Sequence, residues 1–206
     1  MELEEAVRKA SEEAKERNFV QSVDLVVNLK NVELDQPENR FSEDLTLPYQ
    51  ASDNKVAVIG DTLVKNADNA DKKIDSDELE ELFDDKSEAK NLADEMDFFI
   101  AEAPLMPDIG KQLGPVLGPR NKMPKPMPPG SDPSDRIENL KRSVSIKVGE
   151  SPSVKCKIGD EEMDPDQVAE NAEAILNLIK DNMPKGEHNL KDVYIKLTMG
   201  PAIEAK

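Results

Sequence analysis

The chain has 206 residues, 37% hydrophobic but only 3% aromatic, and 44 acidic against 27 basic side chains give a net charge of −17. That length fits one large domain or two small ones, and the apolar residues are patterned enough to exclude a disordered acidic tail. No run approaches the roughly 18 apolar residues of a membrane span, and the start M-E-L-E-E-A lacks the basic and apolar parts of a signal peptide, so a soluble intracellular protein without membrane contact is expected.

The acid surplus has two readings. A dense carboxylate surface keeps a protein hydrated in concentrated salt, where charges are screened, which points to a halophilic cytoplasm. The rival is a low-salt protein that avoids nucleic acid.

Residues 3–17 predict an amphipathic helix, with Leu3, Ala6, Val7, Ala10 and Ala14 at helical spacing. The β-branched stretch from Phe19 to Leu29 predicts a strand, and D-L-T-L-P a second one stopped by Pro48. V-A-V-I-G-D (56–61) suits a buried strand of a parallel sheet. Helices are expected over Thr62–Ala70, from Ser76 (with Ser76 as N-cap) and over Lys86–Glu95. M-D-F-F-I-A-E-A (96–103) predicts the next strand, followed by a short helix from Pro107 that stops at Gly114. Strands alternating with helices imply an α/β unit.

A Pro/Gly-rich segment, L-G-P-V-L-G-P-R-N-K-M-P-K-P (113–126), leads to a helix capped by Ser134 or Ser131. S-V-S-I-K-V-G and S-V-K-C-K-I-G alternate with period two and predict an antiparallel pair joined by G-E-S-P. Residues 165–182 predict a long helix with Asp164 as cap, and residues 192–198 a final strand closed by M-G-P. The middle reads as α/β and both ends as helix and strands. Either two consecutive domains or a domain inserted at about 60–150 satisfies this pattern.

Charge is uneven. Residues 68–102 carry 14 acids and 4 bases, whereas residues 111–147 carry 3 acids and 8 bases. Basic residues held among Pro and Gly can meet a phosphate surface at low ordering cost.

Catalysis finds little support. His188 is the sole histidine and lies in a polar turn; Cys156 is the sole cysteine, in an alternating segment that suits a buried thiol. There is no G-x-x-x-x-G-K-S/T and no G-x-G-x-x-G, and D-S-D-E (75–78) is not ordered into a calcium loop. No metal and no cofactor are expected.

The Gly/Pro segment, R-N-F-V-Q-S-V-D-L (17–25) and K-L-T-M-G-P (196–201) together closely resemble the large-subunit ribosomal protein L1 family. P-K-P and the short N-terminus favour its archaeal branch, and the acidity suggests a haloarchaeal member. The resemblance implies an α/β, two-domain L1 fold. A split α+β domain I (residues 1–60 and 151–206) would hold an inserted three-layer Rossmann-like domain II (61–150). It implies a non-enzymatic, monomeric protein of the cytoplasmic large ribosomal subunit that binds the L1 stalk of large-subunit rRNA. Exit-site tRNA and its own mRNA, as a repressor, are further partners implied. Without the resemblance, an acidic scaffold or protein-interaction role is the alternative.

The resemblance places RNA binding at Phe19, Ser22, Asp24, Thr198, Met199 and Gly200, and Lys196 falls on the same strand face as Thr198. Gly200 lets backbone approach ribose or phosphate, and the Thr198 hydroxyl can pair with a 2′-OH. Secondary contacts are expected from Lys30, Arg120, Lys122, Lys125, Lys155 and Lys157. Lys155 and Lys157 share one strand face, which the sequence leaves unassigned. The chain departs from the family at Tyr49-Gln50, where His-Gly is common, at Asn121 in place of Gly, and at Leu197 before Thr-Met-Gly. Asn121 tolerates the positive φ a glycine would supply.

Overall fold

A computed structural model describes residues 1–205. In chain order it contains α1 (Leu3–Glu13), β1 (Ser22–Leu29), β2 (Phe41–Thr46), β3 (Val56–Ile59), α2 (Leu63–Asn66), β4 (Lys72–Ile74), α3 (Ser76–Asp84), α4 (Lys86–Glu95) and β5 (Phe98–Glu102). There follow α5 (Met106–Gln112), α6 (Gly114–Leu117), β6 (Lys125–Met127), α7 (Ser134–Lys141), β7 (Ser143–Val148), β8 (Ser153–Asp160), α8 (Pro165–Asn182), β9 (Leu190–Leu197) and β10 (Ile203–Glu204). The chain forms two compact units. One joins Met1–Ser52 to the segment from Arg142 onward, and the other is Asp53–Lys141. The crossings thus fall at 52/53 and 141/142, not at 60/61 and 150/151. β3 counts with the inner unit because it is the centre of its sheet, and β7 with the outer one because it pairs with β2.

The outer unit carries an antiparallel sheet of order β10-β9-β1-β8 and a two-stranded sheet β2-β7. Period-two alternation sends Val23, Leu25, Val27 and Leu29 of β1 into the core. Val154, Cys156 and Ile158 of β8 and Val193, Ile195 and Leu197 of β9 join them. Helices α1 and α8 supply Ala6, Val7, Ala10, Val168, Ala172, Ile175 and Ile179 to the same core. Each Val, Leu or Ile side chain so buried contributes roughly 1.5–3 kcal/mol. Burial lifts the Cys156 thiol, with the nearby Asp24 carboxylate, to a pKa of about 12, so it stays a protonated core group.

The pairing of β8 with β1 shifts register between Val23 and Asp24, skipping Ile158. The Ile158 carbonyl instead accepts from the Asn171 amide at 2.9 Å. Asn171 is fully buried on α8 and also exchanges hydrogen bonds with the Tyr49 main chain, donating to its carbonyl and accepting from its N–H at 3.0 Å each. The Tyr49-Gln50 departure therefore lies on a loop anchored through its backbone, which does not depend on the side chains there.

The inner unit holds a parallel sheet of order β4-β3-β5-β6. Ala57, Ile59, Phe99 and Ala101 face a core with Leu79, Leu82, Ala89, Ala93 and Ile109. Val56, Val58, Phe98 and Ile100 face the opposite core with Leu63, Ile137 and Leu140. Both faces are covered, which is why these strands read as continuous apolar runs.

Several expectations need correction. The predicted hairpin of residues 143–160 does not exist: β7 pairs with β2 and β8 with β1, in separate sheets. Alternation fixes which face is buried, not which strand is the neighbour. Helix α1 stops at Glu13 because Ala14 is extended, and β1 starts at Ser22 rather than Phe19. The helix over Thr62–Ala70 shrinks to Leu63–Asn66, and the short strand β4 follows. Asp75, not Ser76, caps α3, accepting from the Glu78 N–H, because Ser76 directs its hydroxyl to Asp61. Gly114 does not end the helical run, since α6 begins there. Helix α7 starts at Ser134, whose N–H donates to the Asp132 carboxylate at 2.9 Å. Asn121 does adopt positive φ, at 58°.

Candidate nucleic-acid interface

The face of the β10-β9-β1-β8 sheet away from the core presents Ser22, Asp24, Val26 and Asn28, each half-buried. Register brings Lys196 and Lys157 to either side of Asp24, and Tyr194 and Lys155 to either side of Val26. Lys155 and Lys157 therefore share the open face with Asp24, which settles the side that the sequence left open. Directly opposed residues sit with Cβ atoms about 5 Å apart, so the charges of Lys196 and Lys157 both act on Asp24. Burial pushes the Asp24 carboxyl up, while Lys196 and Lys157 pull it back, and the net shift is upward.

One end of this face is closed by the turn that follows β9. The Gly200 N–H donates to the Leu197 carbonyl at 3.0 Å, a β-turn with Thr198 and Met199 at its corners. The Thr198 N–H and hydroxyl both donate to the Ser22 carbonyl, at 3.0 and 3.3 Å, tying the turn to the first residue of β1. The hydroxyl keeps its lone pairs for an incoming donor. Lys196 folds back to donate to the Thr198 carbonyl at 2.9 Å. Met199 is 59% exposed and Phe19, just before β1, is 53% exposed. Large apolar side chains left in water at a polar site are the unusual observation, and neither side chain belongs to the core. Ser22, Asp24, Lys196, Thr198, Met199 and Gly200 thus gather at one sheet end, with Phe19 on the adjoining segment.

Two predicted contacts go elsewhere. Arg120 donates to the Asp94 carboxylate at 2.9 Å and to the Val116 carbonyl at 3.2 Å. Lys122 donates to the Ala93 and Met96 carbonyls at 3.0 and 2.8 Å, close to Asp97. These are the carbonyls that a helix C-terminus leaves without partners, and a cation there also meets the negative end of the helix dipole. The basic Gly/Pro segment is thus a brace for the end of acidic α4. Lys125 sits in β6, where burial and then Arg136 hold its ammonium pKa below the usual value. Lys30 is exposed just beyond the far end of β1. Among the described residues no three His, Cys, Asp or Glu side chains are grouped to hold a metal ion, and no helix is long and apolar enough to cross a membrane.

The residue that sequence reasoning missed is Gln21. It is 1% exposed and its amide oxygen accepts the Met199 N–H at 3.2 Å. Its period-two spacing from Val23, Leu25 and Val27 was the available signal, placing a polar side chain on the buried face.

Residues 8–201 match the Ribosomal protein L1p/L10e family. Proteins called "Large ribosomal subunit protein uL1" are similar throughout. The one from Thermococcus kodakarensis is 48% identical over 99% of this chain and 96% of its own. That from Methanothermobacter thermautotrophicus is 45% identical over 98% and 97%, and that from Haloarcula marismortui 44% over 98% and 97%. Those values give the haloarchaeal branch no preference. The chain belongs to the Ribosomal protein L1p/L10e family, among the archaeal uL1 proteins.

Proposed function

We propose that this protein is a non-catalytic rRNA-binding component of the large ribosomal subunit in the cytoplasm, holding the L1 stalk near the tRNA exit site. The grip is the open end of the β10-β9-β1-β8 sheet. The observation that carries it is the exposed Phe19 and Met199 set beside the Thr198–Gly200 turn and the Lys196-Asp24-Lys157 row. The apolar pair shields hydrogen bonds from water, the turn offers a hydroxyl and close backbone approach, and the lysines meet phosphate. Lys155 extends this row, and Lys30 is a secondary contact. Exit-site tRNA and the protein's own messenger are further RNA partners in this reading, and the protein acts as a single copy. The outer unit is read as the discontinuous RNA-binding domain I. The inner one is read as an inserted three-layer, Rossmann-like domain II, supported by its parallel strands and its two opposed cores.

Thr198→Val keeps the shape of the side chain and removes its hydroxyl. Affinity for a stalk RNA fragment is expected to fall about five- to tenfold, the value of one hydrogen bond to RNA. Filter binding measures it, and an unchanged affinity overturns the assignment of the turn.

We infer from the charge of −17 that the protein works in concentrated salt. Raising KCl from dilute to molar shortens the screening length from about 10 to 3 Å and is expected to raise the unfolding midpoint by about 5–10 °C. A midpoint independent of KCl in calorimetry rejects it.

A further inference from the structure

We propose that Gln21 and Glu161 form a positioning pair that presets the Thr198–Gly200 turn for RNA; this rests on the site proposed above. Gln21 lies where four segments meet. Its side-chain nitrogen donates to the Lys15 carbonyl at 3.2 Å and to the Glu161 carboxylate at 3.1 Å. Its main-chain N–H donates to the other Glu161 oxygen at 3.0 Å, and its carbonyl accepts the Glu161 N–H at 3.0 Å. The amide oxygen is left for the Met199 N–H.

The chemistry of the partners fixes which way the amide points. A carboxylate and a carbonyl only accept, so both require the nitrogen of Gln21; the Met199 N–H only donates, so it requires the oxygen. All three agree on one orientation. Glu161 supplies the charged, and so the stronger, of these demands. The consequence reaches the binding surface. Thr198 and Met199 are exposed, and beyond the turn's own Gly200–Leu197 bond the Ser22 carbonyl and the Gln21 oxygen hold their main-chain N–H groups. A turn fixed before RNA arrives need not be ordered on binding, so the pair raises affinity without touching RNA.

The test is a charge exchange in the full chain, read as affinity for the stalk RNA fragment, with hydrogen exchange at the Met199 amide as second readout. Gln21→Glu sets two carboxylates against each other and removes both side-chain donors. Affinity is expected to fall about tenfold. Adding Glu161→Gln restores a donor between the two positions, and the double variant is expected within about threefold of the original. Should Gln21→Glu not fold, Glu161→Gln alone serves. Its amide can donate or accept, so it no longer dictates the orientation, and both a loss of about threefold in affinity and faster Met199 exchange are expected. An unchanged affinity in the tested single variant, or a Gln21→Glu loss that Glu161→Gln does not repair, overturns the pair. If Thr198→Val weakens binding in the same assay, the site itself stands; if Thr198→Val is also silent, the site falls and the pair with it.

Discussion

Glu102→Ala is expected to lower the stability of the Asp53–Lys141 unit by about 1–3 kcal/mol, the loss that follows when buried donors lose their acceptor. Glu102 ends β5 and is only 8% exposed. One of its oxygens accepts from the Thr62 hydroxyl at 2.6 Å, the Thr62 N–H at 2.7 Å and the Leu63 N–H at 2.9 Å. The Thr62 hydroxyl in turn accepts the Gly130 N–H at 3.0 Å. Alanine would leave the buried Leu63 N–H without this partner, while the donors of exposed Thr62 could turn to water. Gly60 belongs to the same arrangement: its φ is +138°, and a Cβ there would collide with the Glu102 side chain. Calorimetry of the full chain measures the loss, and a change under 1 kcal/mol rejects the argument.

The sign of the pH dependence follows. Burial pushes the Glu102 carboxyl up, but the hydrogen bonds from Thr62 and Leu63 outweigh it, and the net pKa lies below the ordinary value. The unfolded chain, with an ordinary carboxyl near roughly 4.3, then binds the proton first on acidification. The stabilisation is complete above that value and fades as pH falls through the lower, folded one. Glu102→Gln should therefore differ most from the original protein near neutrality and least in acid.

The position of this carboxylate accords with the absence of a phosphate motif from the sequence. Open parallel sheets take ligands beyond the C-terminal ends of their strands. Here that position, after β3 and β5, is filled by the protein's own anion, held by the main-chain N–H groups that a phosphate would otherwise use.

The elements legible in the sequence were those whose information is local. Helices α4 and α8 carry their apolar spacing within their own residues and their acidic caps, Asp85 and Asp164, immediately before them, and Val56–Ile59 is apolar throughout. What was illegible depends on partners distant in sequence. β4 and β6 contain K-K-I and K-P-M, strands only because β3 and β5 offer them edges. The bracing bonds of Arg120 to Asp94 and of Lys122 to the Ala93 and Met96 carbonyls were invisible because these partners lie more than twenty residues earlier, at the end of α4. Asn171 and Gln21 look like surface amides by type. Both occupy positions whose spacing belongs to the buried face: Asn171 between Val168 and Ile175, and Gln21 ahead of Val23. A polar side chain at an apolar position signals a buried hydrogen-bond node, which the pattern held and residue type concealed.

At the proposed RNA site the largest loss is expected from Gly200→Val, at least about 30-fold in stalk RNA affinity, exceeding the loss from removing the Thr198 hydroxyl. A Cβ at Gly200 would lie 3.3 Å from the Leu197 Cβ and 3.4 Å from the Ala14 Cβ. These are tight contacts that alanine can meet if its neighbours yield a few tenths of an ångström. Valine adds two methyl groups on the same carbon, and the neighbours cannot recede far. Leu197 is buried in the core of the outer unit, and Ala14 is fixed at the end of α1. The turn itself must move, carrying Thr198 and Met199 away from the start of β1 and breaking the bonds to Ser22 and Gln21. Gly200→Ala should then lose no more than about threefold. The graded series separates backbone space from chemistry, because neither substitution removes a polar side-chain group. Titration of the two variants with the stalk fragment decides it: valine binding as tightly as alanine would mean that the turn does not set the RNA contact.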